Sequence, residues 1–137
     1  MKRFVSTLGL VCLAAFPAFS QDWDCSNADN LPQQGMNYCA YQDWQIADEA
    51  LNAAWPKVRT HMKSIDESTR EYFPEQAIAE ESLLKAQRAW INYRDGHCEA
   101  EGGQFAGGSI QPLIINSCKA SMTRKRTEEL LQLMQEF

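Results

Sequence analysis

The charged side chains set among apolar stripes are the first place to look for chemistry. Asp48, Arg94 and Arg126 each fall on or beside a hydrophobic stripe that recurs at helical spacing. A carboxylate buried without a partner is costly, so Asp48 needs a cation. A hydrogen-bonded ion pair across helices, to Arg94 or to Arg126, meets that need. The rival reading of Asp48 is a catalytic acid, but nothing accompanies it. The sequence holds no G-x-S-x-G, H-E-x-x-H, phosphate-loop or paired-carboxylate motif. His61 and His97 lie on different helical stretches with no second ligand at metal spacing, so they read as surface or helix-end residues. With no catalytic constellation to assemble, the chain reads as non-enzymatic, with no metal and no cofactor.

Cysteine is the other reactive type. Cys12 lies in the leader described below, which leaves Cys25, Cys39, Cys98 and Cys118. An even number in an exported chain reads as two disulfides. Zinc is a weak rival, because the spacings of 13, 58 and 19 intervening residues contain no C-x-x-C pair. Once all four are bonded, no nucleophilic thiol remains. Four cysteines allow three pairings. Local closure favours Cys25–Cys39 with Cys98–Cys118, each worth about 3 kcal/mol of loop entropy in the chain-entropy model. Cys39–Cys98 with Cys25–Cys118 stays open as the alternative.

These residues need elements to position them. Lys2 and Arg3, an apolar run from Phe4 to Phe16 and small residues at Ala18 and Ser20 form a secretory signal, with the cut placed before Gln21. The run is too short to stay as a membrane anchor. Val11 is too large to precede a lipidated cysteine, so Cys12 is not a lipid site. Residues 1–20 are therefore a signal peptide, and residues 21–137 are one domain with a periplasmic or secreted destination. Residues 21–36 are polar and read as an extended or loop segment held by Cys25, with Trp23 exposed in it. From Tyr38 onward, Tyr41, Trp44, Asp48, Leu51, Trp55, Val58, Met62 and Ile65 step by three and four, a helix of about seven turns. Pro56 should kink it. Ser68 to Pro74 is a connector.

A second helix runs from about Glu75 to Cys98. Its stripes are Ala79, Leu83, Ala86, Trp90, Tyr93, His97 and, beside them, Leu84, Gln87, Ile91, Arg94, Cys98. The run Glu101 to Ser109 is too rich in glycine for helix or strand and reads as a flexible loop. Pro112 suits a first helical turn. Ile115, Cys118, Met122, Arg126, Leu130, Leu133 and Phe137 mark a third helix. The fold expected is all-α: a small, disulfide-stapled three-helix bundle packed up-down-up, with an extended N-terminal segment and a glycine-rich loop between the second and third helices. Cys39, Cys98 and Cys118 then gather at one end.

Charge narrows the partners. The chain carries 13 basic and 18 acidic residues, and loss of Lys2 and Arg3 with the leader leaves 11 against 18, a net charge of −7. Nucleic acid needs clustered Lys and Arg and is excluded as a partner. Basic partners are favoured. Long loops in compact domains are often functional, so the glycine-rich loop is the candidate contact, through Glu99, Glu101, Gln104, Phe105 and Ser109.

A set of strings then occurs in order: Asn37–Ala40, Ala47–Asn52, Ala86–Asp95 with Cys98, Gly107–Ser109, Cys118 and Thr123–Leu130. The most specific is the run from Gln87 to Asp95. Together they resemble the LprI-type domain, a family of exported bacterial proteins named after a lysozyme-inhibitor lipoprotein. The resemblance covers about residues 25–133. It departs from the family in lacking the lipoprotein cysteine and in placing Pro56 inside a helix. The resemblance implies a non-enzymatic helical domain that blocks a basic, peptidoglycan-cleaving lysozyme. An envelope binding or immunity module for another protein is the alternative. Peptide mapping without reduction checks the bridges: linked 25–39 and 98–118 peptides are expected, and a 39–98 peptide would overturn the pairing.

Overall fold

Three stretches of helical periodicity become three helices in the computed structural model, which describes residues 22–135. The signal peptide expected over residues 1–20, and Phe137 of the third stripe, lie outside the described residues. A 3-10 turn over Cys25–Asn30 leads into α1 (Gln33–Arg70). A second 3-10 turn, Pro74–Gln76, precedes α2 (Ala79–Gly103), and α3 (Gln111–Gln132) closes the fold. No strand occurs among the described residues.

Side-chain contacts give the directions. Arg94 of α2 meets Asp48 of α1 and Thr123 of α3. Further along, Leu83 of α2 packs with Val58 and Met62 of α1 and Leu130 of α3. Numbers thus rise together along α1 and α3 and fall along α2, the up-down-up order expected. Leu51, Val58, Met62, Leu83 and Leu130 form the core, with Trp55, Trp90 and Met134 packed against it. Ala47 and Ala54 on α1 and Ala120 on α3 are buried between the larger residues, so large and small side chains interdigitate.

Two bridges staple one end. Cys25–Cys39 and Cys98–Cys118 are both formed, with Cα atoms 5.4 and 5.5 Å apart. The first ties the 3-10 turn to α1, and the second ties α2 to α3. Asp24 caps the 3-10 turn by accepting from the Ser26 amide at 3.0 Å. Hydrogen bonding from Ser26 holds the Asp24 carboxyl below the usual carboxylate range.

The element ends differ from the sequence reading, each for a physical reason. Residues 21–36 are not simply extended: the 3-10 turn occupies part of them and α1 begins at Gln33. Trp23 is half-buried rather than exposed. A Cβ on Gly35 would lie 2.9 Å from Trp23 Cε3, so the indole covers that glycine. The α1 seam also drifts. Tyr41 turns outward, and at the far end Asp66 is buried where Ile65 was expected. A helix of 3.6 residues per turn slips about 20° per heptad against a strict seven-residue repeat, and over 38 residues that slip changes which residue faces in. The helix runs unbroken through Pro56, which is exposed. On α2 the inner line is Leu83, Gln87, Arg94, Cys98 and Gly102, while Tyr93 and His97 point outward. On α3, Leu133 lies half-exposed past the helix end.

The glycine-rich run is the largest correction. By composition Glu101, Gly102 and Gly103 belong to the loop, yet α2 continues through them. Gly102 is buried, and a Cβ there would fall 2.3 Å from Ile115 Cγ1. It serves close approach between α2 and α3, not flexibility. Only residues 104–110 turn, with Gly107 at φ +77°, a conformation that favours glycine. Gly102→Ala is therefore expected to lower stability by about 1–3 kcal/mol through overpacking. Gly103→Ala, which meets open space on a helix, should instead add about 0.5–1 kcal/mol. Denaturant midpoints of the two variants check the contrast.

Candidate functional site

Arg94 carries the central charge network. Its side chain is 7% exposed. The Nη1 group donates to Asp48 Oδ1 at 3.3 Å and to Thr123 Oγ1 at 3.2 Å, and Nε donates to Asp95 Oδ1 at 3.0 Å. The guanidinium also stands 5.7 Å from the Trp44 ring centroid and 5.1 Å from that of Trp90. Lys119 Nζ lies 4.9 Å from Trp44, and the Arg126 guanidinium 5.9 Å from Trp90. Cations and indoles thus alternate across the bundle: Lys119, Trp44, Arg94, Trp90, Arg126. Lys119 closes one side with a 3.5 Å contact to Asp95. The Trp44 indole N–H is buried with no hydrogen-bond partner, so this ring is held by its faces.

Helix geometry places these groups. Trp44 and Asp48 are one turn apart on α1, Trp90 and Arg94 one turn apart on α2, and Lys119 and Thr123 one turn apart on α3. Of the two arginines considered for Asp48, the structure brings Arg94. Arg126 turns elsewhere: its Nε donates to Gln87 Oε1 at 3.0 Å and its Nη1 to Glu129 at 3.2 Å. A cleft of about 320 Å³ between α1 and α2 is floored by Gln87 and Arg94 and rimmed by Asp48, Asn52 and Trp55. Asp48 keeps 36% of its side chain exposed, so the carboxylate is partly hydrated.

The candidate contact residues form a second region. Glu99 and Glu101 lie on the last turns of α2, Gln104, Phe105 and Ser109 in the turn after it, and all five are exposed. The turn is tied down, because Asn37 Nδ2 donates to the Ser109 carbonyl at 2.9 Å. His97, Glu101 and Cys118 bring their ligand atoms within 4.8 Å of one another. Cys118 spends its sulfur in the bridge to Cys98, so this trio offers no thiolate to a metal. His61 stands apart on α1.

Asp66 escaped the sequence reading. It is buried on α1, and its two oxygens accept from the Ala79 amide at 2.7 Å and the Glu80 amide at 2.9 Å. It caps α2 from another helix, which explains why α2 starts at Ala79 and not Glu75. The step Val58, Met62, Asp66 was the signal for it.

The fold and network define a class: a small, acidic, all-α bundle stapled at one end, with a buried cation–indole ladder at its centre. The chain belongs to the LprI family: the family model described as lysozyme inhibitor LprI matches residues 25–130. It is similar to an uncharacterized protein of Rhizobium meliloti (strain 1021), 42% identical over 137 residues that cover 98% of this chain and 97% of that one. It is also similar to the uncharacterized protein YecT of Escherichia coli (strain K12), 24% identical, covering 94% of this chain and 88% of that one. No solved structure matches.

The geometry revises what a break in the network should cost. Truncating one partner of a buried ion pair costs about 3–5 kcal/mol, and that range fits Asp48→Ala only if Asp48 is buried. The partly hydrated Asp48 points to about 1 kcal/mol, since Asp95 and Thr123 still serve the guanidinium. Arg94→Ala should cost about 3–5 kcal/mol, by leaving a cavity and orphaned acceptors between two indoles. Urea unfolding of both variants checks the ranking; an Asp48→Ala loss as large as that of Arg94→Ala would overturn it.

Proposed function

We propose that the protein is an exported, non-enzymatic inhibitor of a basic, lysozyme-type peptidoglycan hydrolase, acting in the periplasm or outside the cell. The match to the lysozyme inhibitor LprI family over residues 25–130 carries the reading. Three features support it. The two disulfides suit an oxidising compartment. Removal of the signal peptide before Gln21 leaves a net charge of −7, which draws in a basic partner. No helix among the described residues is long and apolar enough to cross a membrane.

Inhibition needs no chemistry from this chain. A retaining glycosidase works with a carboxyl pair in a sugar-binding cleft. A rigid acidic bundle laid over the mouth of that cleft excludes the glycan. Two ends of the bundle are available as the contact. The sequence points to the glycine-rich end, through Glu99, Glu101, Gln104, Phe105 and Ser109; the structure also offers the opposite end.

Preincubation with a basic lysozyme is expected to slow lysis of cell walls in proportion to the complex formed. The association rate should fall as salt rises while the dissociation rate changes little, because steering is screened and the packed contact is not. Failure to bind any of a panel of basic lysozymes, egg-white lysozyme among them, would transfer the reading to an immunity-type module for another envelope protein.

A further inference from the structure

The end of the bundle farthest from the disulfides carries Tyr72, the most exposed large apolar side chain among the described residues, with two further exposed apolar side chains beside it in the chain. Tyr72 is 71% exposed, Phe73 59% and Ile78 54%, all within the connection from α1 to α2. Phe105, the aromatic of the glycine-rich turn, is 41% exposed. The two ends lie about 50 Å apart along α1. Met134, beyond the end of α3, packs against the cluster that contains Met62. The last turns of α1 and the start of α2 therefore project past α3 as a two-helix tip.

That tip is rigid. Asp66 holds the Ala79 and Glu80 amides. The Phe73 amide donates to the Thr69 carbonyl at 2.7 Å, Gln76 to Phe73 at 2.9 Å and Ile78 to Gln76 at 3.0 Å. With its backbone amides bonded internally, the connection presents its apolar side chains to water from a fixed frame. A preorganised apolar surface loses little entropy on docking. Exposed apolar side chains grouped in one short connection and flanked by carboxylates fit an interaction site.

The rim is acidic. Residues 64–82 hold six carboxylates against one base, Arg70. Asp66 is engaged as the cap, and Glu80 pairs with Arg59 and Lys63. Glu67, Glu71, Glu75 and Glu81 remain exposed, the first three flanking the aromatic pair in the chain. Anionic lipid would be repelled by this rim; a basic protein would be attracted.

We propose that this tip is the principal docking surface for the basic partner: Tyr72 and Phe73 seat in an apolar pocket, and Glu67, Glu71 and Glu75 meet its basic rim. This rests on the reading of a lysozyme-type partner and moves the main contact from the glycine-rich turn to the opposite end.

The test is binding kinetics of the full mature protein with a basic lysozyme that the parent inhibits. Three variants are compared: Tyr72→Ser with Phe73→Ser, Glu67→Lys with Glu71→Lys, and Phe105→Ala. Circular dichroism and the urea midpoint confirm folding. The aromatic double variant is expected to raise the dissociation rate about tenfold or more. The charge double variant should lower the association rate at least about threefold and flatten its salt dependence. Wild-type rates in both tip variants, with the parent still binding, would overturn the tip and leave the inhibitor reading standing. So would a loss confined to Phe105→Ala. If the tip variants instead abolish a parent dimer seen in sedimentation, or binding to phosphatidylglycerol vesicles, with lysozyme binding unchanged, the surface belongs to another occupant and the proposal fails. If the parent binds no lysozyme, the inhibitor reading fails, and the proposed docking with it.

Discussion

Everything in this bundle is arranged around a guanidinium that has been taken out of water. Removing a charge from water costs several kcal/mol unless partners replace the solvent. Arg94 obtains them from all three helices: a carboxylate from α1, a hydroxyl from α3, a neighbouring carboxylate on α2, and indole faces from α1 and α2. Each cation–indole contact contributes about 0.5–2 kcal/mol, against a net stability of about 5–15 kcal/mol for a domain of this kind. Sliding α1 by one turn would withdraw Asp48 and Trp44 together, because they share a face. An apolar core tolerates small shifts of register. This network does not, so it selects one axial setting of three otherwise similar amphipathic helices.

Stability is then distributed along the long axis by three different means. Covalent bridges secure the end where the chain begins and where α2 meets α3. The cation–indole ladder and the Leu51–Leu130 cluster hold the middle. At the far end, beyond α3, neither is available, and a single buried carboxylate takes over by capping α2. Among the described residues no third helix reaches that end to bury its apolar side chains. This is the physical reason that Tyr72, Phe73 and Ile78 remain in water.

Much of this was legible in the residues. Steps of three and four from Leu51 to Met62 marked the middle of α1, and the stripe around Leu83 and Arg94 marked α2. The even cysteine count and the shortness of the closures pointed to the bridges that are found. The need of Asp48 for a cation was legible too, and the structure answers it with Arg94. What failed did so where a local rule met a tertiary demand. Gly102 reads as a helix breaker by propensity, yet it is helical because Ile115 leaves no room for a side chain. Tyr93 and His97 fit the period of α2 but fall on its outer side, since periodicity gives a stripe without saying which stripe has a neighbour. Asp66 caps a helix 13 residues downstream, beyond the few residues over which capping patterns are read.

Both bridges join cysteines that are consecutive in the chain, separated by 14 and 20 positions. A polypeptide threaded N-terminus first into an oxidising compartment presents Cys25 and then Cys39 while Cys98 is still inside. The first thiol to reach Cys25 is thus its native partner, and the same holds later for Cys98 and Cys118. In a chain exported as proposed above, order of arrival favours these same pairs and lessens the need for reshuffling by a disulfide isomerase. During such export the long α1, most of which lies between the second cysteine and the third, would set a delay between the two oxidation events.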